Sequence, residues 1–181
     1  MKNEKKLLGE ERRNELLKLL KTSSSPITGS ELAKVANVSR QVIVGDITLL
    51  KAKNEPIIAT SQGYIYFQQD HLEKLVERTV ACIHSPEDTE KELLLLVDTG
   101  VTVKDVKVEH PVYGDLVSSI MVSNRREVSH FLKRIQETKA TLLSQLTNGI
   151  HLHTLVASSE QILDEAEAAL QEAGFLVTEN D

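Results

Sequence analysis

The strongest restriction on the fold is local and lies near residue 30. Thr28 is followed three residues on by Glu31. A threonine and a glutamate at that spacing can each satisfy a backbone N–H at a helix start, so the pair predicts a capping box. The helix it opens runs through Leu32, Ala33 and Val35 to Ala36, with Asn37 as its turn residue. Ser39 then caps a further helix that carries Val42, Ile43, Ile47 and Leu50 at helical spacing. Two short helices joined by so tight a turn make a helix-turn-helix unit. Upstream, residues 7–21 read as a helix with Leu16, Leu17, Leu19 and Leu20 on its apolar face, stopped by the small polar run 22–25 and Pro26. Downstream, residues 56–60 and 64–67 are β-prone and flank Ser61-Gln62-Gly63, which reads as a hairpin. That order describes a winged helix over residues 1–68.

The remainder, 69–181, alternates differently. Residues 71–76 read as a helical lead-in. Strands are predicted at 79–83, 101–108, 116–122 and 150–156, with helices at 86–97, after Ser123 or Asn124, and from Ser159 to Ala173. The helix capped by Ser123 or Asn124 places Val128, Phe131, Leu132 and Ile135 on one face. Gly174 ends the last helix, and residues 175–178 form a short final strand. The order β-α-β-β-α-β-α predicts an open sheet with helices on one face, so the whole chain is of the α+β class.

Charge divides along the same boundary. Through Phe67 there are 11 Lys and Arg against 7 Asp and Glu, and beyond it 10 against 20. A polyanion such as duplex DNA is therefore drawn to the front half only. There is no run of 18 apolar residues, so no transmembrane helix is expected, and the N-terminus lacks the apolar core of a signal peptide. A single cysteine, Cys82, rules out an internal disulfide and fits a cytoplasmic protein.

Base reading needs side chains at the start of the recognition helix, and Ser39, Arg40 and Gln41 stand there. Arg40 can fork onto guanine O6 and N7, and Gln41 onto adenine N6 and N7. Asp46 is either turned away from phosphate or paired with a nearby base. In the back half, His151 and His153 flank Leu152 on a predicted strand and so project to one face, close enough to share a metal. His84 at a strand end and Glu92 on the following helix can add ligands, although Glu87, Asp88 and Glu90 compete as carboxylates. Three imidazoles and a carboxylate suit a divalent transition metal. His110 and Tyr113 sit in a turn fixed by Pro111 and Gly114 and are candidate wall residues of a ligand site. His71 and His130 are expected on the surface.

These residues carry a resemblance. Ser39-Arg40-Gln41-Val42-Ile43-Val44-Gly45-Asp46-Ile47 with Gly63-Tyr64 is similar to the helix-turn-helix of biotin-repressor type. The segments Cys82-Ile83-His84-Ser85, His110-Pro111-Val112-Tyr113-Gly114 and Gly149-Ile150-His151-Leu152-His153 resemble the niacin-responsive transcriptional repressors with a three-histidine (3H) domain. The resemblance implies a phosphocarrier-like open-faced sheet and a metal (zinc, nickel or iron) held by His84, Glu92, His151 and His153. It also implies nicotinic acid as co-repressor for genes of niacin uptake and NAD biosynthesis.

Other functions remain to be weighed. A metal with an open position can activate water, but no general base stands beside the histidines. A repressor fused to a ligase would need a longer catalytic domain, and a phosphocarrier would use His84 or His110. The reading is a non-enzymatic repressor that binds double-stranded operator DNA as a homodimer. The alternative is a metal-dependent enzyme or a regulator sensing a different small carboxylate.

Overall fold

The computed structural model describes residues 8–67 and 75–177. The chain divides into two units, Met1–His71 and Leu72–Asp181. The expected boundary at 68/69 and the lead-in residues 71–74 lie outside the described residues, as does His71.

The first unit holds α1 (Gly9–Thr22), α2 (Gly29–Val35), α3 (Arg40–Ala52), β1 (Ile57–Thr60) and β2 (Gly63–Tyr66). The capping box forms as the sequence requires: Glu31 N donates to Thr28 Oγ1 at 3.2 Å, and Thr28 N donates to Glu31 Oε2 at 2.8 Å. Asn37 adopts a left-handed φ of 50° in the turn, and the Ser39 side chain caps α3 by accepting from Val42 N. Leu16 and Leu20 of α1, Leu32 of α2, and Ile43, Ile47 and Leu50 of α3 form one apolar core with Ile57 of β1. The two strands pair antiparallel from Ile57↔Tyr66 to Thr60↔Gly63. The residue before the α2 N-cap joins them, because Ile27 forms an antiparallel bridge with Tyr64. That closeness explains Gly63. Its φ is +139°, and a Cβ there would lie 2.5 Å from the Ile27 carbonyl oxygen.

The second unit contains β3 (Val76–Ile83), a 3-10 turn (Pro86–Asp88), α4 (Thr89–Asp98), β4 (Thr102–His110), β5 (Gly114–Ser118), α5 (Arg125–Thr138), another 3-10 turn (Leu143–Thr147), β6 (Ile150–Ala157) and α6 (Glu160–Ala173). The strands form one antiparallel sheet in the order β3-β6-β4-β5. Leu93, Leu96 and Val97 of α4, Val128 of α5, and Leu163, Ala166 and Leu170 of α6 share a core with Val80, Val103 and Leu155 of the sheet. The helices thus cover one face. On β6 the alternate residues Ile150 and Leu152 are exposed while His151, His153 and Leu155 are buried.

Three sequence expectations need correction. Val76 opens β3, opposite Ala157, rather than closing a helix. The strand expected at 116–122 ends at Ser118; Met121 takes a φ of 50°, and pairing resumes only as an isolated Val103↔Val122 bridge. A left-handed residue breaks the extended path that the apolar run suggests. Of the final strand expected at 175–178, the described residues show a bridge between Cys82 and Leu176, and Thr178 lies outside them.

Candidate functional site

The start of α3 is open to solvent, with Ser39, Arg40, Gln41 and Val42 all exposed. The Arg40 side chain passes close to Gly29, the first residue of α2. Asp46 is neither a phosphate neighbour nor a base reader. It is buried and accepts from Arg12 Nε at 2.5 Å, from Arg12 Nη2 at 3.2 Å and from Arg13 Nη1 at 3.4 Å. The pairing ties α1 to α3. The hairpin from Ile57 to Tyr66 carries no Lys or Arg.

In the second unit, the four residues selected from sequence come together, the three histidines converging on Glu92. His84 Nε2 lies 2.7 Å from Glu92 Oε2, His153 Nε2 lies 3.3 Å from the same oxygen, and His151 Nε2 lies 3.2 Å from Oε1. Glu92 is 1% exposed. Each element has a local reason for placing its residue. Period-two alternation puts His151 and His153 on the helix-covered face of β6. Glu92 lies on the buried side of α4, one residue before Leu93. His84 follows β3, where Gly149 lets it pass: a Cβ at that glycine would lie 2.3 Å from the His84 carbonyl oxygen, and its φ is +96°.

The other ring nitrogens fix the imidazoles. His84 Nδ1 donates to the Ser85 carbonyl at 2.7 Å, His151 Nδ1 to Gly149 at 2.8 Å, and His153 Nδ1 to Asp105 at 2.7 Å. A carbonyl can only accept, so each Nδ1 carries hydrogen and each Nε2 faces the carboxylate. The Asp105 carbonyl is available because β4 shifts register between Val103 and Asp105. Burial alone would push the Glu92 carboxyl up, but the hydrogen bonds from His151, His153 and His84 outweigh it and hold the group well below the usual carboxylate range. Burial likewise opposes charge on His84 and His153, and the neighbouring Glu92 overcomes it and raises both.

Sequence reading missed Cys82 at this site. It is fully buried and pairs with His151 across β3 and β6, and a ligating atom of each of Cys82, Glu92 and His151 lies within 4.8 Å of the others. Burial, then the charge of Glu92, pushes its thiol up. Only the strand register could have revealed it. His110 and Tyr113 turn out elsewhere. Pairing of β4 with β6 runs only to Lys107↔Leu152, so His110 lies three residues past the shared ladder. Its Nδ1 accepts from Val112 N and Tyr113 N, its ring stacks on Tyr113, and neither residue lines the cavity beside the cluster. His130 is exposed on α5.

That cavity, about 110 Å³, is bordered by His84, Glu92, His151 and His153 and walled by apolar side chains that include Val106, Ile120 and Phe131. A single water needs roughly 10–15 Å³ on such a measure, so a small one-ring molecule is the right scale.

Residues 77–179 match the 3H domain family and residues 12–65 an HTH domain family. The chain is 62% identical over 180 residues to "Transcription repressor NadR" of Bacillus subtilis (strain 168), covering 98% of this chain and 99% of that protein. It is 38% identical over 174 residues to "Probable transcription repressor NiaR" of Thermotoga maritima, covering 96% and 98%. Both relatives are named as repressors and neither as an enzyme. Among the described residues no helix is long and apolar enough to cross a membrane. With both units matched and near-complete coverage of two repressors, this chain belongs to the family of helix-turn-helix transcription repressors that carry a 3H domain.

Proposed function

We propose that the chain is a metal-containing, cytoplasmic repressor that uses nicotinic acid as co-repressor at operators of niacin-uptake and NAD-biosynthesis genes, binding them as a homodimer. The observation that carries this reading is the convergence of three Nε2 atoms on one buried carboxylate, with every Nδ1 already held by a carbonyl. Three imidazoles packed against a carboxylate suit a first-row divalent cation, and the outer hydrogen bonds are of the kind that orient metal-bound histidines. His84, Glu92, His151 and His153 would hold it, and a bound cation would supply positive charge to attract a small anion. The acidic unit otherwise offers an anion little attraction. The adjoining cavity is of one-ring scale with partly apolar walls, which suits a pyridine carboxylate.

The test is a titration of labelled operator with metal-free protein, metal-loaded protein, and metal-loaded protein plus nicotinate, with nicotinamide as the uncharged control. Nicotinate should tighten operator binding of the loaded protein by about 1–3 kcal/mol, and operator should tighten nicotinate binding by the same factor. The His151→Ala, His153→Ala double variant should lose both its metal and the response. If nicotinate leaves the loaded curve unmoved while another small carboxylate shifts it, the effector is that carboxylate. Full metal content in the double variant would remove the metal from the account.

A further inference from the structure

One polar group beside the cluster has no explanation in the fold. Thr89 is the first residue of α4 and only 9% exposed. Its hydroxyl is buried, with no hydrogen-bond partner among the described residues. A threonine hydroxyl that starts a helix usually finds a backbone group or water, because leaving it unpaired away from solvent is costly. Thr89 stands three residues before Glu92, so both lie on the same side of α4, about one helical turn apart. Both border the one cavity that also touches His84, His151 and His153. The lining also includes the apolar side chains of Leu93, Val106 and Phe131 and the hydroxyl-bearing residues Ser118, Thr141 and Ser144. The cavity thus combines a carboxylate–imidazole cluster, apolar walls and, one helical turn from Glu92, an unused donor. A one-ring ligand with its ring nitrogen toward the cluster and a carboxylate on the same ring has one polar group for each.

We propose that Thr89 is a specificity-determining contact for the effector, its hydroxyl donating a hydrogen bond to the carboxylate of a pyridine carboxylate held in this cavity. The inference rests on the effector reading above and adds the residue that tells a carboxylate-bearing ring from a bare one. The hydroxyl contributes nothing to the empty fold and gains its partner only on binding. Binding and stability therefore respond to its removal with opposite signs, which a merely structural threonine would not show.

The experiment uses the full-length chain with metal content measured and matched. Calorimetric titration with nicotinate, nicotinamide and pyridine is run on the wild type, Thr89→Val and Thr89→Ser, and thermal melts are recorded without ligand. Thr89→Val, equal in shape but lacking the hydroxyl, should weaken nicotinate binding roughly tenfold or more, as loss of a hydrogen bond to a charged acceptor does. It should leave pyridine binding unchanged and raise the ligand-free melting temperature. Thr89→Ser should bind nicotinate within about twofold of wild type, since the donor is kept. If Thr89→Val folds poorly, Thr89→Ala removes the same hydroxyl and carries the same expectation for nicotinate against pyridine. Equal nicotinate affinity in the wild type and the hydroxyl-free variant, or an equal loss for pyridine, overturns the assignment of Thr89 alone. Failure of the wild type to bind nicotinate overturns the effector reading, and this inference with it.

Discussion

Each unit contains one place where two stretches of backbone come too close for a side chain, and the two places serve different ends. In the first unit Gly63 admits the Ile27 carbonyl, which fastens the hairpin to the segment ahead of α2. In the second, Gly149 admits the His84 carbonyl, which delivers an imidazole to Glu92. The first closure completes a scaffold whose chemistry is turned outward, at exposed Arg40 and Gln41. The second closure is itself part of the site, whose chemistry is turned inward on a carboxylate that is 1% exposed. Reading DNA needs rigid support behind freely hydrated side chains. Holding a cation, as proposed for the second unit, would need side chains that have given up water and found partners.

Gly149→Ala tests that contrast most severely. Positive φ alone costs about 1–3 kcal/mol for a residue with a Cβ, and the clash with backbone cannot be relieved by a rotamer change. Stability of the second unit in denaturant should fall by at least that amount, and bound metal, measured by elemental analysis, should fall with it. Retention of full metal would separate His84 from the glycine.

Gly63→Ala should cost the first unit a similar or slightly smaller amount, about 1–3 kcal/mol, for the same reason. Here the metal content should stay at the wild-type level. A change in metal content would dissolve the distinction between a closure that serves the scaffold and one that serves the site.

Arg40→Ala should leave the melting temperature unchanged and relax discrimination by about 1–3 kcal/mol at the base pair it contacts. Equal losses on operator and random duplex would reduce Arg40 to a phosphate contact.

The smallest effect is expected at Gly45. It lies exposed inside α3, and a Cβ there would meet nothing. Gly45→Ala should therefore stabilise the first unit by about 0.5–1 kcal/mol, read from the denaturation midpoint. A loss of stability instead would show that the residue has a packing role.

Much of this was legible in the sequence because it depends on short-range chemistry. Thr28 with Glu31, and Ser39 and Ser159, each sit at a helix start that the structure bears out, and of Ser123 and Asn124 it selects Asn124, since a cap is decided within four residues. The common face of His151 and His153 follows from strand periodicity alone. What escaped depends on pairings distant in sequence. Cys82 meets the cluster only through its register with His151. Asp46 finds Arg12 across 34 residues, so an acid on a recognition helix reads from sequence as free. His110 was displaced because nothing local reveals how far β4 runs beyond its partner. The turn at Leu143–Thr147 has neither the length nor the periodicity to be recognised.

The three carbonyls that hold the imidazoles have a consequence for how such a site is inherited. Every amino acid carries a carbonyl, so no replacement of Ser85 or Asp105 can delete the acceptor that His84 or His153 uses. This outer layer leaves no signature in residue identity, and point mutation can reach it only by rerouting the chain. Transplanting His84, Glu92, His151 and His153 onto another open sheet would copy the inner ring and leave its orientation behind. The irregular step between Val103 and Asp105 and the left-handed turn at Gly149 would have to travel with them.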